Sequence, residues 1–532
     1  MAKALDGVTV VEFAGHMGSA YAAMLMAEQG ARTIRIEPRE GDPGRGTPHF
    51  HVLNRSKQAV FLDVDSSADQ AQAHELIRIA DVVVSGFTPA RQRAAGLDYE
   101  SVRRINPSAL LLQMPPLGSR GPYADLPVED DMMNAWGGIF ATQVSRSGNP
   151  VALMFPLVSY QAGLLGAAAA TAGLIARDNG GTGQPIEVSE LAAALSMQTG
   201  DLHLNPNLRT ARPGPADPLG LYPVIYLYRG SDGQYLIVDC TSARFCQRLA
   251  AAIGIPELFS DPRFKDAPWN VGITESEALR EIIGAAFRTR PRDEWIRILR
   301  EHQVPAAPVW TRQQFIEDPQ VRYLGMRREV DDPTLGPTLQ MGVPIHLSRT
   351  PGDISGPAPA LDQTNVLLGA LLEEAREKKI PAAAAAQSTR SHNGRGPLSG
   401  ITVVDFSSYI AGAFGPMILA HMGATVIKVE GRDGDSLRHV VGFRGWNQSK
   451  RGLGLDAKSP QGLEIVYDLV RKADVFVENL RPGGIQRFGL DYERLSAINP
   501  RLIYMTVTGY GSNGPDYDRP GLDPLAQALS GA

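Results

Sequence analysis

Short apolar runs and helical segments alternate along the chain, and the alternation occurs twice. Residues 8–13 (VTVVEF) and 401–406 (ITVVDF) are β-branched runs of the kind buried in parallel sheets. An Ala/Met-rich helical segment follows each run, at 20–29 and 413–422, and a glycine stands after each segment, as is common after a helix. Further strand-like and helical segments then continue the pattern. The order strand, helix, strand predicts an α/β fold with a Rossmann-like, doubly wound sheet and ligands at the carboxyl ends of its strands.

The two stretches are also similar residue by residue, at a constant offset of 393 positions. This offset pairs Asn54 with Asn447 and Lys57 with Lys450, and it aligns the segment GLDYE at 96–100 with the same letters at 489–493. Roughly a third of the aligned positions are identical, and the period far exceeds the ~20–50 residues of solenoid repeats. We therefore expect a domain duplication.

The predicted domain organisation follows from this repeat. Residues 1–380 form a first module, with a large domain at about 1–210 plus C-terminal helices and a small α+β domain at about 215–330. A hairpin at 226–240, turning at Asp232 and Gly233, opens the small domain. Residues 381–397 (PAAAAAQSTRSHNGRGP) are rich in Ala, contain few large apolar side chains and are predicted to be a linker. Residues 398–532 restart the pattern as the N-terminal part of a second module.

Composition narrows the classes of function. The chain of 532 residues is 43% hydrophobic and carries a net charge of −5, which argues against nucleic-acid and anionic-membrane partners. The N-terminus has no signal-peptide pattern, and the most apolar stretch, 163–176, is shorter than the ~20 residues of a membrane span. Two cysteines and ten histidines show no metal-ligand spacing. We expect a cytoplasmic enzyme with no metal and, since no G-x-G-x-x-G follows the first strand, no dinucleotide.

An ordered set of short motifs then points to a family. The motifs are NQSKR at 447–451, VENLRPG at 477–483, FGLDY at 488–492, NPRLIY at 499–504, TGYGSNGP at 508–515 and, in the first copy, GTGQPIEVS at 181–189. Together they resemble the family III (CaiB/BaiF-type) CoA-transferases. The resemblance implies a Rossmann-like large domain, a smaller α+β domain and two interlocked subunits whose active site lies between domains. Two modules on one chain would then resemble an intramolecular pseudo-dimer, with a homodimer as the other arrangement.

Coenzyme A carries phosphates, an adenine and a long amide arm, so its site needs cations and amide groups. By resemblance, six residues of the second module are expected to contact CoA: Arg438, Asn447, Lys450, Asn479, Arg481 and Arg487. The first module keeps three counterparts, Arg45, Asn54 and Lys57. It replaces the VENLRPG loop by VSGFTPA at 84–90 and Arg487 by Ala94. The first module is therefore expected to be a degenerate copy on an intact scaffold.

The family nucleophile is an aspartate in a motif like P-x-A-D-x-x-A-G. Residues 156–163 match this motif in the first module, but Ser159 occupies the aspartate position. No catalytic base is evident beside it in the sequence, and we expect Ser159 to be a helix N-cap. The offset of 393 places the second module's counterpart at position 552, after Ala532. We therefore expect the sequence to be a fragment of a protein of roughly 800 residues, long enough for two complete modules.

The resemblance implies an acyl-CoA:carboxylate CoA-transferase that acts through an aspartyl-CoA intermediate. Acyl-CoA and a small carboxylic acid are its expected substrates. One alternative is an α-methylacyl-CoA racemase-like enzyme with a His/Asp pair, for which His16, His49, His51 and His439 offer no clear candidate. Another is a non-catalytic chain that binds CoA. The sequence does not specify the donor or acceptor acid.

Overall fold

The computed structural model describes residues 2–142, 149–153, 155–200, 222–362, 365–380, 396–438, 440 and 442–531. In the predicted large domain of the first module, the elements in chain order are β1 (Thr9–Phe13), α1 (Met17–Glu28), β2 (Arg32–Glu37), α2 (Pro48–Leu53), β3 (Gln58–Phe61), α3 (Ser67–Ile77), β4 (Val82–Ser85), α4 (Pro89–Ala94), α5 (Tyr99–Ile105), β5 (Leu110–Gln113), α6 (Asp130–Trp136), α7 (Ile139–Thr142), α8 (Leu157–Asp178), β6 (Pro185–Glu187) and α9 (Glu190–Met197).

The chain continues with β7 (Ile225–Arg229), β8 (Tyr235–Asp239), α10 (Ala243–Ala252), α11 (Ile273–Phe287), α12 (Arg292–Glu301), β9 (Ala306–Pro308), α13 (Arg312–Ile316), α14 (Pro319–Tyr323), β10 (Arg327–Asp332), β11 (Gly336–Met341) and α15 (Val366–Glu377). The second module contains β12 (Thr402–Asp405), α16 (Tyr409–His421), β13 (Thr425–Glu430), α17 (Gly442–Trp446), β14 (Arg451–Gly454), α18 (Pro460–Val470), β15 (Val475–Glu478), α19 (Tyr492–Ile498), β16 (Ile503–Thr506) and α20 (Asp523–Ser530).

Two parallel sheets dominate the structure, and their strand orders correspond. The first has the order β3-β2-β1-β4-β5-β6, and the second has β14-β13-β12-β15-β16. In both sheets the first strand of the copy is central, and the order reverses there. An open parallel sheet binds ligands at such a switch point, beyond the carboxyl ends of the strands. The mixed α/β fold with parallel sheets confirms the predicted fold class.

The first sheet is covered on both faces, as the continuous apolar strands require. One face packs against α3, α5 and α15, a helix that follows the small three-stranded sheet in the chain and returns to the first sheet. The other face packs against α1 and α8. The three-stranded sheet β7-β8-β9 forms a separate core with α10, α11 and α12, within the range predicted for the small domain. The hairpin predicted at 226–240 is present as β7 and β8.

The first and second modules pack against one another. Ala172 of α8 lies in the core that covers one face of the second sheet, with Leu398 and Val403. Helix α20 packs on the small sheet, where Leu525 and Leu529 contact Ile237. Among the described residues α8 is the one helix long and apolar enough to cross a membrane by length and composition, and half of its most apolar window is buried in the protein. Most of the predicted linker lies outside the described residues.

Candidate active site

Arg438 lies at the carboxyl end of β13, where the sheet topology favours a ligand. Its guanidinium binds both oxygens of Glu430, at 2.6 and 2.8 Å, and stacks on Phe443 at 5.0 Å from the ring centroid. Burial opposes ionisation of Glu430, but the hydrogen bond and charge of Arg438 hold the pKa of this carboxyl below its usual value. Arg438 and Glu430 line a solvent-open pocket of about 330 Å³, together with the glycines Gly434 and Gly452. The predicted CoA contact therefore borders a pocket.

The first module repeats this arrangement in a more enclosed form. Arg45 binds the two oxygens of Glu37 at 2.8 and 3.0 Å and stacks on Phe50 at 4.6 Å. It also donates to the carbonyl oxygen of Pro359, in the segment that returns toward α15. The Arg45 side chain is 18% exposed, against 53% for Arg438. A ligand can reach the second arginine more easily than the first.

Lys450 and Asn447 are committed to the protein itself. The buried ammonium of Lys450 donates to Asp405, the carbonyl oxygen of Ala413 and Asn447 Oδ1, at 2.8, 2.7 and 2.9 Å. Asn447 in turn donates to the carbonyl oxygen of Phe443. An ammonium has three donors, and these contacts use all of them. This geometry assigns the pair a structural function, and direct contact with CoA stays a prediction.

Lys57 and Asn54 form the same network in the first module. Lys57 donates to Glu12, to the carbonyl oxygen of Ala20 and to Asn54, at 2.7, 2.9 and 2.9 Å. Asn54 donates to the carbonyl oxygen of Phe50. Burial lowers the pKa of Lys57 to about 8, although Glu12 opposes this shift. The residues that are identical at these positions therefore make the same structural contacts in both modules.

Asn479 separates two loops at the carboxyl edge of the second sheet. Its side-chain oxygen accepts from the Ser408 backbone N–H at 2.8 Å, and its amide donates to the Ser408 carbonyl at 2.7 Å. The first module has glycine at both corresponding positions, Gly15 and Gly86. A Cβ on Gly15 would lie 2.8 Å from the Gly86 Cα, so these two backbones are in direct contact. In the second module an amide side chain therefore lies between the two loops. In the first module the backbones of the two loops are in direct contact.

Arg481 and Arg487 extend from the segment after β15. Both are exposed, and neither forms an ion pair with a carboxylate among the described residues. The Arg481 guanidinium lies over the ring of Phe245, 5.6 Å from its centroid. Phe245 belongs to α10 of the first module, so the predicted CoA loop of the second module faces the small domain of the first.

Ser159, at the aspartate position of the motif, is not a helix N-cap, and that expectation is wrong. Helix α8 begins at Leu157 after Pro156, which places Ser159 in the first turn. Its hydroxyl donates to Glu190 Oε1 at 2.8 Å, and its backbone N–H donates to Asp130 Oδ1 at 2.8 Å. Ser159 and Glu190 are 2% and 1% exposed. The serine is therefore part of a buried group of hydrogen-bonded polar side chains.

Ser159 also has acid–base neighbours that its local sequence did not indicate. His16 Nδ1 lies 3.0 Å from Glu190 Oε1, and Nε2 contacts the carbonyl oxygen of Met114. Burial disfavours a charged imidazole, but Glu190 outweighs it and raises the pKa of His16. The protonated ring donates to Glu190, whereas only the neutral ring can accept from Gly18 N–H, 3.1 Å away. Glu190 lies 31 residues after Ser159 in the sequence. Its position at the start of α9, directly after the GTGQPIEVS motif, was the sequence feature that could have indicated its place in the site.

Among the other histidines named for a racemase, His51 forms a pair with an aspartate, but both side chains are buried. Buried His51 binds Asp332 at 2.7 Å and the carbonyl oxygen of Arg45 at 3.1 Å. His49 is exposed on α2, and His439 lies outside the described residues. No group of three or more His, Cys, Asp or Glu in the described part of the chain is arranged to hold a metal ion.

Two carboxylates meet where the second module packs on the small sheet. Asp239, at the end of β8, is buried, and its Oδ1 has no hydrogen-bond partner among the described residues. Asp523 begins α20, which packs on β8 and corresponds to α6, the helix that Asp130 begins beside Ser159. Burial, and then the charge of Asp523, raise the pKa of Asp239 to about 6.

Asp239→Asn is expected to stabilise the protein at pH 8. A folded pKa raised from 3.8 to about 6 gives a stabilising contribution that is complete below about pH 3.8 and is lost as the pH rises through 6. At pH 8 the native state therefore bears the cost of a buried carboxylate, about 3 kcal/mol. Urea unfolding at pH 8 and pH 4 should show a gain only at pH 8. Asp331→Asn, on an exposed strand position, is the control, and destabilisation by Asp239→Asn at both pH values would contradict the argument.

The structure thus combines a doubly wound α/β sheet, a polar pocket at its carboxyl edge and a small α+β domain that faces this edge. These features define a two-domain α/β protein that binds a ligand between its domains. The sequence model of CoA-transferase family III matches residues 5–365 and 398–532, which is most of the chain. The chain therefore belongs to CoA-transferase family III, and the resemblance drawn from the motifs is confirmed.

Individual relatives agree with this assignment. The chain is 25% identical over 578 residues to the CoA-transferase/lyase DddD of Marinomonas sp., covering 99% of this chain and 68% of the relative. It is 27% identical over 384 residues to the succinyl-CoA–D-citramalate CoA-transferase of Chloroflexus aurantiacus, covering 68% of this chain and 92% of the relative. The crystal structure of a CAIB/BAIF family protein from Brucella suis matches with a TM-score of 0.61 and 26% identity, covering 70% of this chain and all of that one.

Proposed function

We propose that this CoA-transferase moves CoA from an acyl-CoA donor to a small carboxylic acid, and that CoA binds in the second module. The thioester of the donor is exchanged for a thioester of the acceptor, so one carboxylate is released for each carboxylate consumed. By family resemblance the exchange runs through an aspartyl-CoA intermediate, in which an enzyme carboxylate carries the thiol between the two acids. The first module has a structural function in this proposal.

The contrast between Asn479 and Gly86 carries the proposal. Equivalent pairs of loops lie at the carboxyl edges of the two sheets. In the second module alone, the Asn479 side chain connects the two loops through two hydrogen bonds to the Ser408 backbone. In the first module a side chain on Gly86 would lie 2.6 Å from Ser19 Oγ and 3.1 Å from the His16 ring. The space that the Asn479 side chain takes in the second module is thus occupied in the first module by Ser19 and His16.

The contacts between modules support a pseudo-dimer within one chain. Gln320 of the first module donates to the carbonyl oxygen of Asn513 at 2.8 Å and accepts from the Asp516 backbone N–H at 2.8 Å. Arg300 forms an ion pair with Asp516. Both contacts reach the glycine-rich segment after β16, which includes the TGYGSNGP motif. The small domain of one module thus faces the large domain of the other, as the family resemblance implies for two subunits.

The relatives suggest where a substrate search should start. Two of them are named for succinyl-CoA or succinate, the D-citramalate transferase and a succinate–glutarate CoA-transferase of Agrobacterium fabrum, which is 27% identical over 405 residues. Succinyl-CoA is therefore the first donor to test, against a panel of aliphatic mono- and dicarboxylates. The expected result is a new acyl-CoA, detected by mass spectrometry, with release of an equal amount of succinate. Deuterium incorporation at Cα without exchange of CoA would contradict the proposal and favour racemase chemistry.

Arg438→Ala and Arg45→Ala form a matched pair for locating the CoA site. Each arginine binds a buried glutamate and stacks on a phenylalanine, but only Arg438 borders the open pocket. We expect Arg438→Ala to weaken CoA binding about tenfold, because a charge-assisted contact to phosphate contributes ~1.5–3 kcal/mol. Arg45→Ala should leave the affinity unchanged. Calorimetry with CoA measures both, and equal effects would contradict the assignment of CoA to the second module.

A second candidate function, CoA binding without turnover, is favoured by the closure of Ser159. Its hydroxyl is hydrogen-bonded to Glu190, and the first module offers no exposed nucleophile at the motif position. Under this alternative the chain binds CoA with the Arg438 dependence described above and exchanges no thioester with any donor in the panel. The two assays together therefore separate the two candidates.

A further inference from the structure

Arginines from the two modules converge on one surface. Arg481 projects from the loop after β15, and Arg244 and Arg248 lie one turn apart on α10 of the small domain. The Arg481 guanidinium lies over Phe245, between these two in sequence, at 5.6 Å from the ring centroid. Although the Arg481 side chain is exposed, partial loss of hydration and then the positive charge of Arg248 lower its pKa, and Arg244 contributes less. Because Arg244 adjoins Phe245 in sequence and Arg248 lies one turn of α10 beyond Arg244, the three cations are grouped around this ring contact.

Little on the protein neutralises this surface. Neither Arg481 nor Arg244 forms an ion pair with a carboxylate in the described part of the chain, and Arg248 donates to the carbonyl oxygen of Gln303 at 3.3 Å. Asp518 and Tyr409 also face Arg481 and favour its charged form, but these effects are smaller than the repulsion by Arg248. Like charges gathered without a counterion are costly, and a multiply charged anion between them removes that cost.

We infer that the small domain of the first module completes the CoA site of the second module, and that Arg244 and Arg248 bind the phosphates of the nucleotide end of CoA with Arg481. Guanidinium groups donate in pairs to phosphate oxygens, and three of them suit a ligand that carries several phosphates rather than a single carboxylate. The stacked Arg481 and Phe245 add a flat surface of the kind on which an aromatic base packs. This inference rests on the proposed function and extends it to residues outside the second module.

The inference also gives the degenerate first module a direct part in ligand binding. Its own cleft is closed by Gly15, Gly86 and His16, yet α10 lies on a domain with a complete core of its own. That domain contacts the second module on two sides, through Phe245 and through α20. A rigid domain in this place can hold two arginines at fixed positions over a neighbouring loop.

The test is calorimetry on the full chain with CoA, 3′-dephospho-CoA, 3′,5′-ADP, pantetheine and inorganic phosphate as separate probes. The double variant Arg244→Gln/Arg248→Gln should weaken the binding of CoA and 3′,5′-ADP at least about tenfold, and it should reduce the dependence of CoA affinity on salt. Binding of pantetheine should be unchanged. Arg263→Gln, an exposed arginine of the same domain that pairs with Asp261, is the control and should have no effect.

The outcomes separate the inference from the proposed function. Unchanged CoA affinity in the double variant, with weakened binding in Arg481→Gln, overturns the inference and leaves CoA in the second module. Absence of binding by the wild-type chain to both CoA and 3′,5′-ADP overturns both. Equal losses for 3′,5′-ADP and inorganic phosphate, with CoA unaffected, assign the arginines to a separate anion site and also overturn the inference. The exposed positions of Arg244 and Arg481 make misfolding of these variants easy to check by circular dichroism.

Discussion

Lys450→Met is expected to lower the free energy of unfolding by about 3–5 kcal/mol, because it leaves a buried carboxylate without its cation. The Lys450 side chain is 2% exposed, and that of its partner Asp405 is fully buried. Asp405 would keep its hydrogen bonds from the Ser407 backbone and hydroxyl but lose its only ion pair among the described residues. Urea unfolding followed by tryptophan fluorescence measures the loss.

Two further variants test the cause of that loss. Asp405→Asn combined with Lys450→Met should recover much of the stability, since an uncharged pair carries no uncompensated charge. Lys57→Met, the matched change in the first module, should cost less because Arg35 also binds Glu12 and continues to neutralise it. If Lys450→Met reduces CoA affinity and leaves stability unchanged, Lys450 is a ligand contact and its structural assignment is wrong.

The two lysines show what the sequence could and could not reveal. Their repetition at a constant offset marked them as important, and the chemistry of CoA suggested a cation for a phosphate. Their partners Glu12 and Asp405 lie on β1 and β12, the first strand of each copy, 45 residues before each lysine. Nothing in the local sequence indicates that the ammonium turns inward toward them. A lysine that is identical in both modules is therefore explained by a shared structural contact as well as by a shared ligand.

The strands, by contrast, followed from the sequence because burial on both faces of a parallel sheet demands continuous apolar runs. The predicted α/β class and the family were confirmed for this reason and because the motifs are specific. The closure of the first module was harder to predict. Replacement of VENLRPG by VSGFTPA indicated the loss of ligand groups, but it did not indicate that Gly86 brings the loop against Gly15 and the His16 ring. Such contact depends on the path of two loops more than 70 residues apart.

Ser159→Asp, which restores the family's nucleophile to the first module, is expected to destabilise the protein by about 3 kcal/mol at pH 8 without conferring CoA transfer. The new carboxylate would be buried beside Glu190 and Asp130, both of which already face His16. Burial, together with Glu190, already raises the pKa of Asp130, so the site favours a neutral group. No transfer is expected because the backbones of Gly15 and Gly86 are in contact where the second module has the Asn479 side chain between its loops.

The pH dependence of that variant distinguishes charge from size. A buried carboxyl with a raised folded pKa contributes stability that is lost as the pH rises through that pKa, so the deficit of Ser159→Asp should shrink at pH 5 and grow at pH 8. Ser159→Asn has nearly the same volume and an amide that can still donate to Glu190, so its smaller deficit should not change with pH. Equal deficits for both variants at both pH values would attribute the loss to crowding. Full stability of Ser159→Asp with newly acquired thioester exchange would show that the first module's site opens, and the closed arrangement around Glu190 would then be only one of its conformations.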